Sequence, residues 1–235
     1  MLAGGVLVAA GAAGAGAVLR LHNAPRRTPK LTDDHLAGVQ GGDLRRPRVL
    51  FIGNSMLLRH DVPGRVSVLA GQDGIALRVA TLAATGARLV ETIRIAGVPA
   101  VLRQGWDAVV VQDFTGTPLR AVDRLGSALA IGRIARFAAP APLLLGPPFP
   151  AAPGNRVYSD AGLLAQVPSN PRDFADRTMA HYGALGHPVV DLPHRWLDAT
   201  DAGQRLYADD GHHANAAGAE FMADQIWRGL RQLLA

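Results

Sequence analysis

Arg48-Val49-Leu50-Phe51-Ile52-Gly53-Asn54-Ser55 is the stretch that decides the fold. Four large apolar residues, half of them β-branched, read as a buried strand, and a Gly-Asn-Ser turn ends it just ahead of a helix. Ser55 is thereby offered at a strand's carboxyl end, the edge at which open α/β sheets bind ligands, so its hydroxyl is a candidate nucleophile. A serine that only caps the next helix is the competing use of the same position.

Downstream of this anchor, strand-like and helix-like segments alternate. The spacing predicts a helix from Val62 to Ala70, a second strand from Ala76 to Leu82 and a helix from about Arg88. A third strand runs from Trp106 to Val111, a helix from Leu119 to Ala138, and a fourth strand from Pro142 to Leu145. Phe174 to Leu185 reads as a helix, His187 to Leu192 as a fifth strand, and Ala216 to Leu234 as a closing amphipathic helix. The expected fold is therefore a three-layer α/β/α domain with a flavodoxin-like, parallel, five-stranded sheet over residues 48–235. The irregular stretch from Phe149 to Pro171 is dense in Pro, Gly, Ser and Asn, and a loop of that length marks a candidate substrate-facing segment.

Upstream of the anchor the composition changes. Residues 1–21 form an apolar, anchor-like or signal-like segment in which Leu2 to Leu19 carries no charge, and residues 22–47 read as a linker or N-terminal extension. Membrane attachment through residues 2–19 is one expectation that follows, and an exported or anchored protein is expected rather than a cytoplasmic one. The chain has 235 residues, enough for one sizeable α/β domain and a tail, and its formal charge is +5. Seven basic residues against three acidic ones lie in residues 1–48, which leaves seventeen against sixteen beyond them. On that balance no basic binding face is expected on the domain, and no basic strand carries stacking aromatics, so nucleic acid is not an expected partner. There is no cysteine, which removes disulfides, thiolate metal sites and cysteine nucleophiles together.

Ser55, Gly86 and Gln112 each follow a strand and so share one rim. Asp209-Asp210-Gly211-His212-His213-Ala214-Asn215 precedes the last helix and can return to that rim. A serine hydroxyl is a poor nucleophile until an imidazole accepts its proton, and that imidazole needs an acceptor on its other nitrogen. Asp210 and His213 can supply both, and the N–H groups of Ser55 and Gly86 with the Gln112 amide can form an oxyanion hole. Asp209 with His212 is an equally spaced pair one residue earlier. A metal site built from Asp209, Asp210, His212 and His213 is a further use of the cluster, although no helical His-x-x-x-His completes it. A capped, solvated loop is the bland one.

Gly53-Asn54-Ser55 resembles the first block of the SGNH hydrolases, the GDSL esterase/lipase family, where Gly-Asp-Ser is more usual. Asp210-Gly211-His212-His213-Ala214-Asn215-Ala216-Ala217-Gly218 resembles the last block, an Asp-x-x-His often followed by Pro-Asn and a Gly entering the final helix, with Ala214 standing where Pro is common. The resemblance implies Ser55 as nucleophile, His213 as base, Asp210 as its partner, and Gly86 as the second block's glycine. Where the third block presents Gly-x-Asn-Asp, this chain has Val110-Val111-Gln112-Asp113. Hydrolysis of carboxylic esters is the implied activity, on small acyl esters, lipids or acylated saccharides, with no metal or organic cofactor needed. Acyl transfer from the same site, or a catalytically silent binding domain of the same fold, are the alternatives.

Overall fold

The structure, a computed structural model, describes residues 46–155, 158 and 170–235. The expected apolar segment at residues 2–19, the extension before Arg46 and most of the expected substrate-facing loop lie outside the described residues. Among the described residues, no helix is long and apolar enough to cross a membrane.

Four parallel strands form the sheet: β1 (Arg48–Gly53), β2 (Arg78–Ala83), β3 (Ala108–Val111) and β4 (Leu143–Leu145), in the order β2-β1-β3-β4. β1 is central. Val49 pairs with Val79 on one side and Ala108 on the other, so both rows of β1 backbone groups are hydrogen-bonded within the sheet. Its side chains alternate between two cores, which is why the strand reads as a continuous apolar run rather than an alternating one. Val49 and Phe51 enter one core, Leu50 and Ile52 the other.

The first core is covered by α1 (Ser55–Leu58), α2 (Val62–Gln72), α7 (Leu192–Asp201) and α8 (Ala216–Leu233). The second lies under α3 (Leu89–Thr92), α4 (Val98–Leu102) and α5 (Ala121–Ala138), and α6 (Pro171–Gly183) adds Tyr182 to it. The three-layer α/β/α arrangement is thus present.

The expected fifth strand is reduced to one parallel bridge between Leu145 and Val189. Leu145 N–H donates to Pro188 O and Val190 N–H to Leu145 O, both at 2.9 Å, and the pairing stops there. The cause is local. Pro147 and Pro148 follow β4 and Pro188 has no N–H to donate, while Asp191 already caps α7 through the N–H of His194. Leu192, expected at the end of the strand, instead opens α7, a helix whose start the strand reading of residues 187–192 concealed.

Candidate active site

Each loop leaving the carboxyl end of β1, β2 and β3 brings one of the residues singled out by sequence to the same rim. β1 ends at Gly53, where an added Cβ would lie 2.7 Å from Leu57 Cδ1 and 2.8 Å from Gln112 Oε1, so a side chain here would displace the Gln112 amide and the Leu57 side chain. Asn54 then caps α1, its Oδ1 accepting the Met56 N–H at 3.1 Å. That cap sets Ser55 at the first helical position, half-buried, with its hydroxyl turned toward the last loop.

Ser55 Oγ lies 3.0 Å from His213 Nε2, and His213 Nδ1 lies 2.8 Å from Asp210 Oδ2. The other carboxylate oxygen, Asp210 Oδ1, accepts the N–H groups of His212 at 2.9 Å and His213 at 2.8 Å. Burial pushes the Asp210 pKa up, but these two N–H groups and the His213 ring outweigh it and hold the carboxyl well below the usual carboxylate range. Asp210 is therefore charged beside an imidazole whose Nδ1 it engages, the relation that leaves Nε2 facing the hydroxyl as an acceptor. His212 packs edge-on against the His213 ring, 4.8 Å between centroids, so of the two equally spaced pairs it is the later, Asp210 with His213, that meets Ser55. Among the described residues, no group of three or more His, Asp or Glu side chains is placed to hold a metal ion.

The loop that carries this pair is a short hairpin. Tyr207 and Ala214 form an antiparallel bridge, Ala208 N–H donates to His213 O at 2.8 Å, and Asn215 N–H to Leu206 O at 3.0 Å. Asn215 closes it: Oδ1 accepts the Gly218 N–H at 2.8 Å as the cap of α8, and Nδ2 donates to Arg205 O and Tyr207 O. One side chain thus joins the helix start to both arms of the hairpin. From the β4 side, Ala152 N–H donates to Gly211 O at 2.8 Å and Asn155 Nδ2 to Asp210 O at 3.1 Å.

Gly86 is exposed with φ 72°, a conformation that side chains rarely adopt, and nothing lies within 4 Å of where a Cβ would stand. Among the described residues, neither its N–H nor that of Ser55 has an acceptor. Gln112 is different. Its side chain is buried, with Oε1 accepting the Asn54 N–H at 3.3 Å and Nε2 donating to Asp113 O. Its amide is thus partly committed to the frame of the site.

That frame is a closed ring of ties among the three loops. The Asn54 N–H to Gln112 bond joins the β1 and β3 loops, Asn54 Nδ2 to Ala87 O at 3.3 Å joins β1 to β2, and Asp113 Oδ1 joins β3 to β2 by accepting the Leu89 N–H at 3.2 Å. Asp113 Oδ1 also accepts the Phe114 N–H at 2.7 Å, the turn cap that its position suggests. Burial drives the Asp113 pKa up, against the pull of these N–H groups.

Arg59 is the site neighbour that sequence reasoning missed. Its Nη1 lies 3.1 Å from Asp210 Oδ2, the oxygen that also faces His213. The signal was available in principle, since Arg59 stands four residues after Ser55 and a helical turn returns it to the same side. Beyond it, His60 and Asp61 both adopt positive φ, at 56° and 51°, strain concentrated in the short link between α1 and α2.

No family model and no curated protein matches the chain. Solved structures do. A provisionally assigned SGNH hydrolase from Slackia heliotrinireducens superimposes with a TM-score of 0.65 at 22% identity, over 79% of this chain and 100% of that one. A lipase/acylhydrolase from Enterococcus faecalis gives 0.61 at 17% identity, over 79% and 96%. A member of the lipolytic G-D-S-L family from Veillonella parvula gives 0.54 at 19%, over 77% and 96%. With its sheet order, its two helical layers and its post-strand rim, the chain has the SGNH-hydrolase fold.

Proposed function

We propose that the protein is a serine hydrolase that cleaves carboxylic esters through an acyl-enzyme on Ser55. The observation that carries the reading is the continuous line Ser55 Oγ, His213 Nε2, His213 Nδ1, Asp210 Oδ2, at 3.0 and 2.8 Å, on the rim of a fold shared with lipases and acylhydrolases. Both distances are hydrogen-bond distances before any substrate is present.

His213 takes the Ser55 proton as Oγ bonds to the ester carbonyl carbon. It then gives that proton to the leaving alcohol as the carbon–alkoxy bond breaks. Water enters, His213 removes its proton, the new oxyanion collapses, and the acid leaves with Ser55 reprotonated. Asp210 holds the ring and stabilises its charged form throughout. The N–H groups of Ser55 and Gly86 are the principal donors to the developing oxyanion, and the second Nε2 hydrogen of Gln112 is the third. No step needs a metal or organic cofactor.

Short p-nitrophenyl esters with wild type and Ser55→Ala test the reading. Wild type is expected to turn over, to be labelled stoichiometrically at Ser55 by a fluorophosphonate, and to lose at least roughly 10³-fold in kcat on substitution. A folded wild-type protein left unlabelled at Ser55 would overturn the nucleophile assignment.

A further inference from the structure

The near balance of charge beyond residue 48 conceals an unequal distribution between the two helical layers. From Arg88 to Arg136 the chain has seven arginines against Glu91, Asp107, Asp113 and Asp123. Glu91 and Asp113 are buried, and Asp123 is nearly so and paired with Arg88 at 2.8 Å. Asp107 is exposed, but it accepts the Arg48 N–H at the amino end of β3. From Arg124 to Pro140 there is no acidic residue at all.

The outward stripe of α5 runs Ala121, Leu125, Leu129, Arg133, Arg136. Among the described residues the exposed large apolar side chains are Leu58, Val68, Leu125 and Leu129, so half of them stand on this one helix, 47% and 56% exposed. At its far end the guanidinium groups of Arg103, Arg136 and Arg133 lie 4.6, 5.1 and 5.9 Å from the centre of the Phe137 ring. The ring attracts each cation, but it does not remove their mutual repulsion. No carboxylate among the described residues forms an ion pair with any of the three.

A furrow opens on each side of the helix. One, of about 530 Å³, runs toward α6 between Leu125, Ala128 and Leu185, with Arg124 and Arg177 on its walls. The other, of about 210 Å³, lies between Val90, Ile93 and Leu129, with Arg94 and Arg133. Arg177 is paired with Asp173 at 2.9 Å, and His181, in the larger furrow, is pushed down to about 4 by burial and then by Arg124, so Arg124 supplies the uncompensated charge there at neutral pH.

We infer that the α5 face docks on an anionic phospholipid bilayer. Its arginines meet headgroup phosphates, Leu125 and Leu129 enter the headgroup region, and the furrows accept the adjoining apolar parts of lipids. A polynucleotide suits the face less well. Its phosphates would press on the two leucines along the crest, and the face offers no exposed aromatic plane for bases.

The test uses the full chain, with vesicles of phosphatidylcholine alone and of phosphatidylcholine mixed with phosphatidylglycerol. The readout is the excess binding to the anionic vesicles, because residues 2–19 can contribute to binding on both. R103Q/R133Q/R136Q is expected to reduce that excess by about fivefold per arginine, whereas R20Q/R26Q/R27Q/K30Q in the extension retains most of it. An excess that survives in the α5 variant overturns the inference. So does loss of oligonucleotide binding in that variant with vesicle binding unchanged. L129W reads the contact independently of charge: on anionic vesicles its added fluorescence should be quenched by brominated acyl chains, while Trp106, Trp196 and Trp227 are buried and form a constant background. Added emission from L129W that stays unquenched on bound protein overturns the inference even if the arginine variant fails to fold.

Discussion

Asp210 does two things with its two oxygens. Oδ1 shapes the loop through the His212 and His213 N–H groups, and Oδ2 faces the His213 ring. Asp210→Asn separates these tasks. An amide oxygen can still accept the backbone N–H groups, but an NH₂ group facing Nδ1 favours the tautomer that leaves Nε2 protonated toward Ser55. On the proposed function, kcat for p-nitrophenyl esters is expected to fall roughly 10³- to 10⁴-fold with the fold intact. The acid limb of stability gives a second reading. Because the folded carboxyl is held below its unfolded value of about 3.9, its stabilising contribution is complete above that pH and is lost as pH falls toward the folded value. Melting temperature measured from neutral to acid pH should therefore fall less steeply in Asp210→Asn than in wild type. Asp113 has the opposite sign. Its raised pKa favours the folded state at low pH and costs stability as pH rises, so Asp113→Asn flattens the curve in the other direction.

At the scale of the element, the site depends on how helices begin. Asn54 caps α1 and ties two loops, and Asn215 caps α8 and closes the hairpin that carries His213. A lost cap alone costs about 1 kcal/mol. Asn215→Ala also strips a donor from Arg205 O and Tyr207 O, so a larger loss, about 2 kcal/mol, is expected in urea denaturation. On the proposed function, kcat should fall with it, because the hairpin sets the approach of His213 to Ser55. Asn215→Asp, which keeps the cap but not the two donated bonds, should recover part of the stability and less of the activity. Sequence offered Ser55 as the residue capping the first helix, and the structure gives that role to Asn54, one residue earlier. That the Asn54 and Asn215 side chains also bridge distant loops was not legible, because those partners come from other elements.

Across the whole molecule, the hairpin rests on aromatic side chains brought to it by the chain leaving β4 and by α7. Phe149, leaving β4, stacks on Trp196 of α7 at 3.7 Å between centroids, and Tyr207 at the hairpin's start meets the Trp196 ring edge-on at 5.4 Å. Trp196 is fully buried, and an added Cβ at Gly218 would strike both its ring and Leu206 O. Trp196→Ala is expected to cost about 3–5 kcal/mol, measured by urea or thermal unfolding.

Periodicity and punctuation, which are local, were enough to read the alternating elements, the parallel three-layer class and the burial of β1, because a strand buried on both faces carries that fact in its own side chains; its central place in the order β2-β1-β3-β4 came only with the tertiary structure. The same local reading named Ser55 and two equally spaced pairs, Asp209 with His212 and Asp210 with His213, between which the family resemblance chose the later. Only the tertiary structure decided that Ser55 and His213, 158 residues apart, stand 3.0 Å from each other, that Gln112 turns its amide into the loop frame, and that Arg59 joins Asp210. It also decided that the fifth strand stops at one bridge, where prolines deny the ladder its donors, and that a charge balance near zero in sequence separates into a basic face, because a sum over residues does not record which side of the sheet each one occupies.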